Sequence, residues 1–203
     1  MTAPSTPRRR ASDHSPTRVR LLVAAREVIE AGGYGGASVI AIAERAGVAS
    51  GTLYRHFPSK ADLFVEVFRD VCSHEMAAAE AAAAAHAADG PLAQVDAIIA
   101  VFAERALASP TLAWSLIAEP VDPAVERVRL EFRAAYRTTV AALVQAAVAA
   151  GELPEQNAEL TATALVGAAN EVLAGPLAHA HTAADAAEVT SALRTLWRRA
   201  AGG

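Results

Sequence analysis

The chain has 203 residues, of which 53% are hydrophobic and 20% charged, with a net charge of −4; that length and apolar content can fill a real core and exclude a disordered tail. Charges interrupt every apolar stretch before the roughly 18 residues a membrane span needs, and no apolar run follows Arg8, Arg9 and Arg10. A single cysteine, Cys72, excludes an internal disulfide framework and a cysteine-clustered zinc site, so a soluble cytoplasmic protein is expected, with Cys72 a small buried apolar residue.

Strand signals are nearly absent, and the chain reads as all-α. Residues 1–14, rich in Pro, Ser and Arg, have no helical period and form a basic arm. Ser15-Pro16 then caps a first helix, whose apolar stripe of Leu21, Leu22, Ala25, Val28 and Ile29 ends at Gly32-Gly33. Ser38 caps a short second helix carrying Val39, Ile42 and Ala43, and Gly47 ends it. Leu53, Tyr54 and Phe57 belong to a third, stopped by Pro58.

Ser59, with Asp62 three residues on, resembles a capping box for a long helix with the stripe Leu63, Phe64, Val67, Phe68 and Val71, running toward Asp89. Beyond Gly90, Pro91, Pro110, Pro123 and Pro176 punctuate about five further helices. On the longest, between Pro123 and Ala150, the arginines 127, 129, 133 and 137 are expected on a solvated face. The organisation expected is an arm over 1–14, a helix-turn-helix domain over 15–62 and a helical domain over 63–203.

Charge follows the same division. Residues 1–62 hold nine Lys+Arg against five Asp+Glu, a charge of +4, and the remainder holds nine against seventeen, a charge of −8. A basic first part on an acidic remainder suggests that only the first part meets a polyanion.

The stretch from Ala43 to Phe64 carries the functional signal. A helix-turn-helix needs a short helix with an apolar inner face, a tight turn where glycine relieves steric conflict, and a second helix with exposed polar residues for the major groove. Ile42, Ala43, Ala46, Gly47 and Val48 meet the first two needs. Ser50, Thr52, Tyr54, Arg55 and His56 give the next helix polar tips, while Leu53 and Phe57 anchor it inward.

At Gly33-Tyr34, Ser38-Val39, Ile42-Ala43, Ala46-Gly47-Val48, Leu53-Tyr54, His56-Phe57, Lys60 and Leu63 the chain resembles the TetR (tetracycline-repressor-like) family, over roughly fifty residues. The resemblance implies an all-α fold of about nine helices and DNA contacts at Ser38, Ser50, Thr52, Tyr54, His56 and Lys60, to which the polar pattern adds Arg55. Two departures stand out: Ala49 occupies the usual Ser/Thr cap of the recognition helix, and Ser50-Gly51 offers no long base-reading side chain. Tyr54 is expected to pack its ring inward with its hydroxyl on a phosphate. For Lys60, a nearby phosphate would relieve the conflict of a cation at a helix N-terminus.

The remainder must then sense a ligand and dimerise. Helix-turn-helix proteins grip two half-sites through a two-fold dimer; the last two helices, residues 157–173 and 185–200, are expected to supply its interface through Leu165, Ala168, Val172, Val189, Leu193 and Trp197. A pocket for a small apolar or aromatic molecule, with Glu119 leaving room for a cationic one, is expected from Phe102, Trp114, Phe132 and Tyr136, with Glu119 and Asn170 as orienting polar groups. No nucleophile is paired with a base, and His74, His86, His179 and His181 lack ligand spacing, so no enzyme activity, cofactor or metal is expected. The reading is a DNA-binding repressor released by a small molecule. The competing reading, a helical protein-interaction module without DNA binding, leaves the polar residues from Ser38 to Lys60 without a purpose.

Overall fold

The computed structural model describes residues 15–177 and 183–202. The arm over 1–14 and the histidines 179 and 181 lie outside them. The described residues form nine α-helices and no strand: α1 (Pro16–Gly36), α2 (Val39–Arg45), α3 (Ser50–His56), α4 (Lys60–Ala85), α5 (Pro91–Ala108), α6 (Pro110–Ile117), α7 (Pro123–Ala149), α8 (Ala158–Leu177) and α9 (Ala183–Ala201), with a 3-10 turn at Ala87–Asp89 between α4 and α5. The fold is all-helical, as the punctuation predicts. No described helix is long and apolar enough to cross a membrane.

Local chemistry accounts for the boundaries. The hydroxyls of Ser15, Ser38 and Ser59 accept hydrogen bonds from the N–H groups of Arg18, Ala41 and Asp62, satisfying donors that the helix leaves orphaned. Proline opens α1, α5, α6 and α7. Gly33 breaks α1 with φ +71°, a left-handed conformation suited to glycine, and only one more turn follows before Ala37.

One apolar cluster joins Leu21, Ala25 and Ile29 of α1, Ile42 of α2 and Leu53 of α3 to Phe57 and to Leu63, Phe64, Val67, Phe68 and Val71 of α4. It also takes in Leu112 of α6 and Val125 and Val128 of α7. The core under the first three helices therefore continues without a break into the helical remainder, with α4 as its spine. A second cluster packs Val95, Val140, Val144, Ala147, Ala162 and Trp197, and a third packs Ala103, Leu107, Ala113, Ile117, Leu173 and Leu193.

Two residues expected at a dimer interface sit inside these clusters. Trp197 is 1% exposed and Leu193 is 4% exposed within the single chain, so both close the core of the monomer. The inward face of α9 is further held by Arg194 and Arg198, which both reach the Asp96 carboxylate of α5. Burial would raise the Asp96 carboxyl, but the two arginines outweigh it and hold it below its ordinary value. The outward faces of α8 and α9 present Leu160, Val172 and Leu196, all exposed.

Candidate DNA-facing helix and ligand cavity

Gly47 takes φ +66° between α2 and α3, and the Val48 N–H reaches back 2.9 Å to the Ala43 carbonyl, turning the chain sharply out of α2. Ala49 is the N-cap of α3 and gives it no side-chain cap. Burial instead fixes this short helix. Leu53 and Phe57 are 0% and 1% exposed, and the Arg18 guanidinium stacks 4.7 Å over the Phe57 ring while pairing with Glu66 of α4.

With its inner side so held, α3 turns Tyr54 and Arg55 to solvent and leaves Ser50, Thr52 and His56 half-buried. Ser38 is exposed at the start of α2. The Tyr54 ring is 53% exposed, so it is not packed inward as expected; Leu53 and Phe57 already fill the socket. Lys60 also differs. Its ammonium lies 4.7 Å and 5.3 Å from the ring centroids of Tyr34 and Phe64 and donates to the Tyr34 carbonyl at 3.3 Å. Those contacts stabilise a cation at the start of α4 without a phosphate, although an ammonium has three donors and keeps others for an external anion.

A cavity of about 230 Å³ lies between α1, α4, α5, α6, α7 and α8. Phe102, Phe132, Tyr136 and Asn170 line it as expected, together with Leu165, which the sequence placed at the dimer interface. Trp114 does not line it: it packs against the third cluster. Cys72 borders the cavity, where burial pushes its thiol up to about 12, so it stays a neutral apolar group.

The arginines of α7 separate into two sets. Arg127 and Arg137 are exposed as expected, but Arg129 and Arg133 line the cavity. Arg129 is 7% exposed; it bonds the Glu126 carboxylate at 2.6 Å and donates to the carbonyls of Ser115 and Glu119 at 2.9 and 2.6 Å. Arg133 donates to the Ile117 carbonyl at 2.6 Å.

Glu119 is absent from the cavity and holds the turn that leads out of α1. Its carboxylate accepts the N–H groups of Tyr34 at 2.8 Å and Gly35 at 2.9 Å, and the Ser115 hydroxyl donates to it as well. The Tyr34 hydroxyl donates to Asp122 at the start of α7. A Cβ on Gly33 would stand 3.1 Å from both Glu119 carboxylate oxygens in addition to the strained φ, which explains a glycine there. Burial acts to raise the Glu119 carboxyl; the hydrogen bonds from Ser115, Gly35 and Tyr34 and the charge of Arg129 win and lower it below the ordinary 4.5. A carboxyl lowered on folding contributes stability that is complete above the unfolded value and is lost as pH falls through the folded one. Melting temperature should therefore fall below about pH 4.5 less steeply in Glu119→Gln than in the native chain; parallel profiles would show that the carboxylate contributes nothing.

Comparison with known proteins matches residues 21–67 to a family described as bacterial regulatory proteins, tetR family. The segment is 52% identical over 48 residues to the HTH-type transcriptional repressor KstR of Mycolicibacterium smegmatis, a match spanning 24% of each chain. Over most of their lengths the similarity is structural. FadR of Bacillus subtilis, solved in complex with stearoyl-CoA, superposes with a TM-score of 0.76 at 20% identity over 88% of this chain and 96% of that one. A transcription regulator of Shewanella sp. PV-4 superposes with a TM-score of 0.67 at 26% identity over 92% and 98%.

Proposed function

Since this chain belongs to the TetR family of bacterial regulatory proteins, we propose that it binds double-stranded operator DNA as a homodimer, acts as a repressor, and releases the DNA when a small molecule fills the cavity above α4. The observation that carries the reading is α3 itself: a seven-residue helix pinned by Leu53 and Phe57, with Tyr54 and Arg55 directed to solvent. Such a helix has its apolar needs met on one side and can offer its polar side to a major groove. Arg55 and Tyr54 are assigned to bases and phosphates, Thr52 and Ser50 to the start of the groove-facing surface, and Ser38, His56 and Lys60 to the flanking backbone. Domains over 15–62 and 63–203 are the working division, with the core of α4 shared between them.

The likeness to FadR supports the fold, and the ligand is argued from this chain's own cavity. Phe102, Phe132, Tyr136, Ile98 and Ile99 give it a predominantly apolar wall, with Asn170 able to orient a polar atom.

For the dimer, the outer faces of α8 and α9 are the surfaces proposed. Leu160, Val172 and Leu196 are exposed apolar residues there and Ala168 is half-buried, while Val189, also half-buried, packs against the third cluster. Leu196→Arg should convert the dimer into a folded monomer with weakened DNA binding, because it places a charge on an apolar contact without touching the core. Sedimentation velocity reads the outcome, and an unchanged dimer would move the interface elsewhere. The function is tested by selecting duplexes from a random library on the purified protein. A two-fold-symmetric sequence with half-sites a whole number of turns apart is expected; enrichment of no sequence would overturn it.

A further inference from the structure

The cavity wall carries more positive charge than it neutralises. Of the four arginines that line it, Arg105 is paired through two hydrogen bonds with Glu75, at 2.6 and 2.8 Å, and Arg26 with Glu30 at 2.8 Å. Arg129 has Glu126. Arg133 has only the Ile117 carbonyl, with no acidic side chain within salt-bridge distance among the described residues. The Nε groups of Arg129 and Arg133 are both buried and have no hydrogen-bond acceptor. A guanidinium does not deprotonate, and a buried N–H without an acceptor is disfavoured, so this pair is incomplete until an anion joins it. The rest of the wall, Ile98, Ile99, Phe102, Phe132 and Val140, suits hydrocarbon. At about 230 Å³ the space is modest, below the roughly 300–1,000 Å³ that hold drug-sized ligands.

Arg129 also stands between the cavity and the DNA-facing helices. Arg129 lines the cavity, and one of its terminal nitrogens holds both the Ser115 and Glu119 carbonyls at the end of α6. From there the Glu119 carboxylate grips the N–H groups of Tyr34 and Gly35, in the turn that enters α2. Bonds from a guanidinium to an anion are stronger than those to a neutral carbonyl, so an anion in the cavity competes for Arg129.

We propose that the ligand is a small amphipathic organic anion, a hydrocarbon body with one carboxylate-type head, that Arg133 and Arg129 bind the head, and that drawing Arg129 from the end of α6 loosens the Glu119 grip on the α1–α2 turn. The proposal rests on the ligand-released regulator reading for its consequence, but not for its chemistry. A ligand shifts the DNA equilibrium only through its different affinity for the two arrangements, and the Arg129 exchange supplies that difference.

The test uses the full-length chain and a series of straight-chain carboxylates from hexanoate to dodecanoate, each against the alcohol of equal length. Calorimetry is expected to show at least one acid binding about ten-fold or more tightly than its alcohol, a factor of ten corresponding to one well-made charged contact. That preference should vanish in Arg133→Met, with a native melting profile as control; Arg129→Lys, which keeps the charge if the methionine variant misfolds, should weaken it. The same acid should release labelled operator DNA, and Glu119→Gln, whose grip on the turn is already weakened, should bind the acid but hold operator DNA several-fold more weakly before any ligand is added and respond less to it. Equal binding of acids and alcohols, no binding of either, or an unchanged preference in Arg133→Met would overturn the ligand class. Release by Glu119→Gln in step with the native chain would overturn the coupling. A protein that binds acids but no DNA would instead refute the regulator reading and leave the ligand class standing.

Discussion

Replacing Tyr54 and Arg55 together by alanine should remove sequence-specific operator binding while leaving the melting temperature close to native. Each residue is on the outer side of α3, with Tyr54 53% exposed, and neither belongs to the apolar cluster beneath. A good contact to a base edge is worth about 1–3 kcal/mol, so losing two in each half-site leaves only the salt-sensitive attraction to phosphate. Fluorescence anisotropy with specific and scrambled duplexes would show the two affinities converging. A double variant that still preferred its operator by the native ratio would remove α3 from the recognition surface.

Trp197→Ala should cost the monomer about 3–5 kcal/mol, the range for deleting a large buried aromatic side chain, and Trp197→Arg should fail to fold. The indole is among the largest fully buried side chains and packs with Val95, Val140, Val144 and Ala162 from three other helices. Its indole N–H has no partner among the described residues, so packing alone accounts for its worth. The contrast with Leu196→Arg is the informative part. One residue earlier on the same helix, a charge is expected to change assembly and spare the fold. Denaturant unfolding of Trp197→Ala decides it: a loss below about 1 kcal/mol would place the side chain outside the core.

The first third of the chain was legible because its signals are short-range. Serine caps, the glycine at Gly47 and the alternation of Leu53 and Phe57 with polar neighbours each act within a few residues, and together they determine α1 to α4. The site in the remainder depends on contacts between distant residues, which periodicity does not encode. Apolar spacing on α9 put Leu193 and Trp197 at a dimer interface, but both are buried within the single chain, because whether a partner chain or α5 covers that face is decided by the packing of the whole bundle. Glu119 looked like a pocket carboxylate among aromatics; its partners, Tyr34 and Gly35, are 85 and 84 positions away. For Arg129 and Arg133 a signal was present. They are four residues apart, as are Phe132 and Tyr136, and two such pairs interleaved on α7 mark one mixed face of a helix better than a solvated stripe. Tyr54 failed for a different reason: an aromatic beside two buried neighbours is normally counted as core, and here Leu53 and Phe57 take the inner side of α3 while Tyr54 is on the outer one.

The most direct test of ligand-released operator binding is an anisotropy titration of the full chain on the duplex from upstream of its own coding sequence, over a range of salt concentrations. The account predicts binding by a dimer, log affinity falling linearly with log salt, a slope shallower by about one unit per half-site contact when Lys60 is replaced by alanine, and a further loss of affinity on adding a cavity-binding carboxylate. Affinity that is independent of salt, or unchanged by every molecule that raises the melting temperature, would contradict it.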